Sequence, residues 1–427
     1  MNRAVFCADI GTSSLKAALI TPDGKAIART VAAIDSRKES DRWLFSLKEA
    51  FSALKKQVEE QGLLDILAVS ISGNGPSLAN SQGTFLWNEQ LRNDEIAAEV
   101  STLAPSMSLF LPRLLHIKHE KKEMWVTDEM IFPVPEWLVY QLTGTAQTVL
   151  PDIRYKKAYW TDEDLRDFGI PEKKLPRYVP IGKSAGHIKR EIASEMNMIE
   201  ADCTDDKLPK VFCSGPDFTI ALIGTNTLTP GLVCDRAGTS EGINLCTEEP
   251  LMAKGVRTLP SPVPPYWNAS VLIPDSGLRF SKWRFDNLYA DIPYEETVKW
   301  LLEHEESDGF TLLLDIAFGV RKEMGRLFKA AEEHGIAVPK IISCTGGQAW
   351  CAPWMQMKAD ITGIPYAVAD CADSELSGDA AVAMFGLEEY TSISSAATAM
   401  MTHRTIYFPD KERQKHYIDI YKKFKGI

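Results

Sequence analysis

A chain of 427 residues with 45% hydrophobic content is long enough for two or three domains and a sizeable core. Its net charge of -11, with no dense Lys/Arg run before the weakly basic stretch from Lys411 to Lys425, argues against nucleic acid as a partner. No apolar run reaches the roughly 18 residues of a membrane helix, and Met1-Asn2-Arg3 leads straight into a strand bearing Asp9, so a cytoplasmic protein without a membrane partner is expected. The eight cysteines form no C-x-x-C pair; Cys7, Cys234 and Cys344 lie in strand-like apolar runs and read as reduced core residues, and nothing has the ligand spacing of a zinc site.

In chain order, the apolar run Ala4 to Ala8 is a strand that breaks at Gly11-Thr12-Ser13 and returns through Leu15 to Ile20 as a β-hairpin. Glycine lets the backbone of such a tip approach a ligand, successive amides form an anion-binding concavity, and the two hydroxyls add neutral donors, which together suit a phosphate. After the turn Pro22-Asp23-Gly24, Lys25 to Ile34 is a third strand of a meander. Ser40-Asp41 caps a helix running to Gln61 before Gly62, with Trp43, Leu44, Leu47, Ala50, Phe51, Leu54 and Val58 on one face. Ile66 to Ile71 is a buried strand, and Ser72-Gly73-Asn74-Gly75-Pro76 forms the loop at its carboxyl end, where open α/β sheets place ligand contacts. Helical patterns follow over Leu114 to Met124, Asp128 to Leu142 and Glu163 to Phe168.

Leu208 to Val211 leads a strand into Cys213-Ser214-Gly215-Pro216-Asp217 and a small-residue helix from Phe218 to Gly224. Then Gly231 to Ala237, Gly238-Thr239-Ser240 and Glu241 to Leu245 repeat the hairpin and its tip. The repetition implies two domains, 1–225 and 226–427, and two tips facing each other would hold a polyphosphate between them. The second half continues with a proline-rich loop from Pro260 to Pro274 and helices from Tyr294 to Glu305 and Leu312 to His334. A strand from Lys340 to Ser343 ends at Cys344-Thr345-Gly346-Gly347-Gln348, and helices from Ala349 to Ile361 and Gly378 to Glu388 precede an amphipathic segment from Asp410 to Lys425.

These blocks, taken in order, resemble the FGGY family of carbohydrate kinases within the actin-like ATPase superfamily. Asp9-Ile10-Gly11-Thr12-Ser13-Ser14-x-Lys16 is similar to that family's first phosphate motif, Ser72-Gly73-Asn74 to its Ser-Gly-Gln loop, and Trp87-Asn88-Glu89 to its sugar-site Trp-x-Asp. Leu142-Thr143-Gly144 matches a recurrent Leu-Thr-Gly, Ser214-Gly215-Pro216-Asp217 resembles the block bearing the catalytic aspartate, and Gly238-Thr239-Ser240 the second phosphate motif. Thr345-Gly346-Gly347-Gln348 resembles the adenosine motif; Trp354-x-Gln356-x-x-Ala359-Asp360 and Ser377-Gly378-Asp379-Ala380-Ala381 resemble the closing segments. The resemblance spans nearly the whole chain and implies an α/β fold of two actin-like (ribonuclease H-like) domains, each a mixed sheet with flanking helices, around a central cleft. It implies ATP and Mg²⁺ as cofactors and a small-molecule sugar or polyol as substrate; a homodimer is left open.

The roles follow residue by residue. Asp217 is the candidate base for the acceptor hydroxyl, its alternative being an N-cap for the helix from Phe218. Asp9 would orient Mg²⁺. Gly11, Thr12, Ser13, Lys16, Gly238, Thr239 and Ser240 would bind phosphates, while Gly346, Gly347 and Gln348 would line the adenosine pocket. Asn74, Trp87, Asn88 and Glu89 would bind the sugar, Trp87 by packing on its apolar face. Trp350 and Trp354 read as core. The chain departs from the family on the substrate side: Leu91, with Arg92 beside it, stands in place of an arginine, Glu89 in place of aspartate, and His116 in place of a frequent tryptophan. A long insertion between Asp308-Gly309 and Leu313-Leu314-Asp315 is absent. An ATP-dependent kinase of a sugar or polyol is therefore the expected function, the alternatives being a catalytically weak nucleotide or sugar sensor and a superfamily ATPase acting on protein or polyphosphate.

Overall fold

The computed structural model describes residues 2–35, 41–59, 64–90, 108–200, 202–337, 339–401 and 404–425. The described chain divides into two compact units, Met1–Ile220 with Glu375–Met400, and Ala221–Ser374 with Met401–Ile427.

The first unit holds β1 (Asn2–Ile10), β2 (Ser14–Ile20), β3 (Ala26–Ala33), β4 (Leu64–Gly73), the short β5 (Leu78–Asn80), β6 (Gly83–Phe85), β7 (Phe132–Pro133), β8 (Gln147–Leu150) and β9 (Arg177–Pro180), then β10 (Ser184–His187) and β11 (Lys210–Gly215). Its main sheet has the order β10-β11-β4-β1-β2-β3. The expected meander is there as the antiparallel run β1-β2-β3, while β1, β4 and β11 are parallel neighbours. Ala4 to Ala8 on β1 are all fully buried, as a strand covered on both faces requires. The helix Arg42–Val58 lays Trp43, Leu47, Ala50, Phe51, Leu54 and Val58 into the core, the expected stripe except for Leu44, which is only half-buried. Phe51 meets Phe6 of β1 edge to face at 5.0 Å, and a fully buried side chain of this size contributes about 2–3 kcal/mol. Asp41 makes no side-chain cap; its carboxylate accepts from Gln141 instead, at 2.9 Å, while Ser40, Gln61 and Gly62 lie outside the described residues.

The second unit holds β12 (Val233–Ala237), β13 (Glu241–Thr247), β14 (Arg257–Pro260), β15 (Trp267–Ile273), β16 (Ile342–Thr345), β17 (Tyr366–Ala369) and β18 (Arg404–Tyr407), in the order β14-β15-β13-β12-β16-β17-β18. Around its centre the first sheet recurs: an antiparallel run β12-β13-β15 beside the parallel strands β12, β16 and β17. Two sheets of the same plan in one chain match the expected pair of mixed sheets. The helix Asp308–Glu333 runs without a break through the place where the family insertion is absent, burying Phe310, Leu313, Leu314, Ala317 and Val320.

Several expectations change. Pro260 to Pro274 is loop only over 261–266: Arg257–Pro260 and Trp267–Ile273 pair as antiparallel strands, with Pro260 at the end of an edge strand where a missing N–H is tolerated. The helix expected from Asp128 begins only at Val134, with Pro133 at its N-cap. Trp354 is core at 1% exposure, but Trp350 is 39% exposed. The expected halves 1–225 and 226–427 differ from the observed units chiefly in Glu375–Met400, which packs with the first. The physical reason lies in two glycines. A Cβ on Gly378 would come within 2.3 Å of the Ile220 carbonyl oxygen, and one on Gly386 within 2.2 Å of the Phe212 ring, so their absence lets this helix settle onto the end of the first unit.

Candidate active site

In the first unit the parallel strands β1, β4 and β11 all end at one edge of the sheet, with Ile10 opposite Gly73 and Ser72 opposite Gly215. The chain after each strand carries candidate residues: Gly11-Thr12-Ser13, Asn74-Gly75-Pro76 and Pro216-Asp217. Three loops distant in sequence are thereby gathered at the carboxyl edge, where such sheets bind ligands. Gly11 N donates to Ser14 O at 2.8 Å to close the first tip, leaving Thr12 half-buried and Ser13 exposed.

Asp9 is 8% exposed and stands opposite Lys16 across the β1–β2 ladder, so the two side chains share a face. Gly73, at φ +113°, leaves only room for a hydrogen where a Cβ would lie 2.3 Å from Ile10 O and 2.6 Å from Asp9 Oδ1. Any side chain there would push the carboxylate aside. Behind it lies a residue the sequence did not single out for a role, Asp379. It is fully buried, accepts from Ser72 Oγ at 3.0 Å, and has one oxygen, Oδ1, without a partner among the described residues. Burial, with Asp9 nearby, holds its carboxyl well above the ordinary value, against hydrogen bonds from Ser214 and Ser72. The signal was an acid alone in the small, apolar run Gly378 to Ala383.

The substrate-side residues are tied to the first tip. Asn74, held at φ +39°, donates from Nδ2 to Gly11 O at 3.2 Å, and its Oδ1 accepts from Ser77 Oγ at 2.8 Å. Ser77 Oγ accepts in turn from the Trp87 amide at 2.9 Å, and Trp87 Nε1 donates to Thr12 Oγ1 at 2.8 Å. A run of hydrogen bonds, closed through the Gly11-Thr12 peptide, thus links the Asn74–Trp87 segment to the first tip. A non-glycine residue at positive φ is the kind of strain that collects at functional sites. Trp87 is 49% exposed, with a face open for packing. Glu89, by contrast, is engaged locally: Leu86 N donates to Oε1 at 2.8 Å and the Lys121 ammonium lies 3.3 Å from Oε2. Asn88 is exposed, and Leu91 and Arg92 lie outside the described residues. His116 stacks on Phe85 with ring centroids 4.4 Å apart, and burial lowers its pKa.

Asp217 is the first residue of the helix Asp217–Gly224. Pro216 O accepts from Thr219 N and Ile220 N, so Pro216 occupies the capping position and Asp217 is not the cap. Its carboxylate is half-buried at a helix N-terminus, where the dipole favours the ionised form.

In the second unit β12 and β16 end side by side. Gly238 N donates to Ser240 O at 3.2 Å to form the second tip, whose Thr239 O and Ser240 Oγ accept from the Leu278 and Asp275 amides, both at 3.0 Å. Gly346, at φ +94°, abuts β12, since a Cβ would sit 2.5 Å from Ala237 O; Gly347 is exposed with open space where its Cβ would be. A flat backbone surface results beside the tip. Gln348 is a brace: Nε2 donates to Gly238 O at 3.1 Å and Oε1 accepts from Trp354 Nε1 at 2.7 Å.

Among the described residues no group of three or more His, Cys, Asp or Glu is placed to hold a metal. A single recessed carboxylate, Asp9, beside bare backbone still suits Mg²⁺, which keeps most of its waters and takes one or two protein carboxylates plus phosphate oxygens.

Comparison with known proteins bears on the fold. Residues 310–387 match the C-terminal domain of the FGGY family of carbohydrate kinases. A xylulose kinase of Lactococcus lactis is 24% identical over a stretch covering 54% of this chain and 51% of that relative, so that match spans about half the relative's length. A xylulose kinase of Bacillus subtilis is 20% identical across 98% of this chain and 95% of its own, and an autoinducer-2 kinase of Escherichia coli 21% identical across 98% and 93%. Among solved structures, a gluconate kinase from Lactobacillus acidophilus superposes with a TM-score of 0.74 at 15% identity, covering 100% of this chain and 98% of that one. A glycerol kinase from Plasmodium falciparum solved with ADP gives 0.73 at 16%, with the same coverage. The chain therefore has the fold of these sugar kinases, and its residues 310–387 match the C-terminal domain of the FGGY family of carbohydrate kinases.

Proposed function

We propose that this protein transfers the γ-phosphoryl group of ATP to a hydroxyl of a sugar or polyol. The observation that carries the reading is the shared carboxyl edge of β1, β4 and β11, which gathers Asp9, the Asn74 loop and Asp217, together with its repetition at Gly238 and Gly346 in the second unit. Phosphoryl transfer asks little covalent chemistry of a protein; it asks for alignment, charge neutralisation and a base. In this reading the amides of the two Gly-Thr-Ser tips and their hydroxyls hold phosphate oxygens, and the bare backbone of Gly346 and Gly347 lies against the adenosine. Asn74 and Trp87 orient the acceptor, and their hydrogen bonds to Gly11 and Thr12 tie acceptor position to phosphate position. Asp217 takes the hydroxyl proton as the acceptor oxygen bonds to phosphorus and the bridging oxygen leaves with ADP. Bound near Asp9, Mg²⁺ supplies the positive charge that the phosphates need.

The finer assignment, which sugar or polyol and which hydroxyl, is set by the loops bearing Asn74 to Glu89, and these are where the sequence departs from its family. The relatives found are named kinases, and no observation favours the sensor or protein-ATPase readings. The test is ATP-dependent phosphorylation across a panel of ketoses, aldoses and polyols. Asp217→Asn should lower kcat about 10²–10⁴-fold while both KM values stay within a few-fold, because it removes the base and keeps the shape. No transfer to any member of the panel, or full activity in Asp217→Asn, overturns the reading.

A further inference from the structure

Beneath the second tip the second unit buries three charges that the reaction does not use. Lys358, in the helix Ala352–Thr362, places its ammonium 3.1 Å from Asp235 Oδ2 on β12 and in contact with Glu241 Oε1 on β13, and all three side chains are fully buried. Asp235 and Glu241 stand on the two strands of one hairpin, at either root of Gly238-Thr239-Ser240, with Glu241 paired to Ala237. The same helix reaches the tip a second way, through Trp354 Nε1 to Gln348 Oε1 and Gln348 Nε2 to Gly238 O. A buried ammonium with carboxylates from two strands is an expensive way to fill a core, since apolar side chains of equal volume hold a hairpin as well without the desolvation cost. Its distinguishing property is direction: it fixes both strands to one point.

We propose that Lys358 is a positioning residue for the Gly238-Thr239-Ser240 tip, gripping both strands of the hairpin so that the tip amides stay aligned on a nucleotide phosphate. This rests on the kinase reading above.

The charge balance adds a second consequence. Two carboxylates against one ammonium leave a negative charge under an anion site unless one carboxyl keeps a proton. Burial first, then Asp235, push the Glu241 carboxyl up to about 8, with Lys358 opposing. Burial alone would lower the Lys358 ammonium, but the two carboxylates hold it above its ordinary value. The oxygens that Lys358 leaves without partners among the described residues are Asp235 Oδ1 and Glu241 Oε2, the pair that a shared proton would join. The other titratable groups facing the cluster are Cys344 on β16, Tyr366 on β17 and Tyr294 at the start of the helix Tyr294–Glu303, and burial raises all three so that they stay neutral. Arg236 projects from the opposite face of β12 by strand alternation. A protonated Glu241 carboxyl removes the excess negative charge and its ionisation restores it, so nucleotide affinity falls as pH rises through the raised Glu241 value.

Three measurements test this. In the ligand-free protein, hydrogen exchange of the 238–240 amides should quicken about tenfold in Lys358→Met, the scale on which small misplacements act. In turnover, the same variant should raise the nucleotide KM about tenfold and leave the acceptor KM within twofold. Should Lys358→Met fail to fold, Glu241→Gln, which keeps shape and hydrogen bonding, carries the test: wild-type ADP affinity falls between pH 7 and 9, and Glu241→Gln flattens that profile. Unchanged tip exchange and KM in a folded Lys358→Met, or an unaltered pH profile in Glu241→Gln, overturns the positioning role. Failure of the wild type to phosphorylate any panel member overturns the kinase reading instead, and the exchange experiment, which needs no ligand, still decides the clamp.

Discussion

Glu136 shows how one buried acid sets a pH response. It lies in the first turn of the helix Val134–Thr143 at 2% exposure and accepts from Val149 N at 3.2 Å. Burial pushes its carboxyl from an ordinary 4.5 up to about 7, its hydrogen bonds pulling the other way. The folded state therefore binds this proton more tightly than the unfolded chain, and stability falls as pH rises through the window from 4.5 to about 7, by about 3 kcal/mol in total. Chemical denaturation at pH 5 and pH 8 checks it: Glu136→Gln should lose most of that difference. At Trp87 the issue is coupling. A double-mutant cycle of Trp87→Phe and Thr12→Val should return about 0.5–1 kcal/mol in acceptor binding, modest because the indole is 49% exposed, and a value near zero would show that the bond between the two loops does not matter. Asp217 and both Gly-Thr-Ser tips were legible in sequence because their signal is local, a turn after an apolar run. Asp379 and Lys358 were not, since Ser72 lies 307 residues from the first and Asp235 lies 123 residues from the second, and no local pattern records such a meeting.

Among elements, the strands of the hairpins were readable from alternation and turn residues, whereas β14 and β15 were hidden by prolines that argue for a loop. The sheet tolerates Pro260 because β14 is an edge strand. The helix Ser276–Asp286 went unread as well: it opens on Asp275 in a left-handed conformation and has few buried side chains to give it a stripe. Close packing between helices depends on Gly378. Its missing side chain lets the helix Ser374–Gly386 lie against the carbonyl of Ile220, in the helix that begins with Asp217. Gly378→Ala must move one helix or the other, at about 1–3 kcal/mol. Calorimetry should show the melting temperature down by roughly 3–10 °C, and because one of the two helices begins with Asp217, the proposed base, kcat should fall with it. A loss of stability with kcat intact would separate this packing from the chemistry.

For the molecule as a whole, the duplicated sheet plan was foreseeable from the duplicated tip, and the family resemblance supplied what the two copies would do. Ligand footprints should respect the duplication. ADP at a hundred times its Kd stabilises what it binds by about 2.7 kcal/mol. Hydrogen exchange should record its protection at 238–240 and 346–348, and that of an acceptor sugar at 74–89. Protection by ADP confined to 74–89 would reverse the assignment of the two units.

The return of Glu375–Met400 to the first unit also bears on how the protein is made. The chain passes between units three times, at 220/221, 374/375 and 400/401, so the first unit is interrupted by most of the second. During synthesis the first 220 residues emerge long before the segment that covers Ile220 and Phe212, and Asp379 reaches Ser72 only after most of the second unit's sheet has left the ribosome. The first unit is not complete until Glu375–Met400 has been made, and a fragment cut at the apparent boundary near residue 225 inherits an open face.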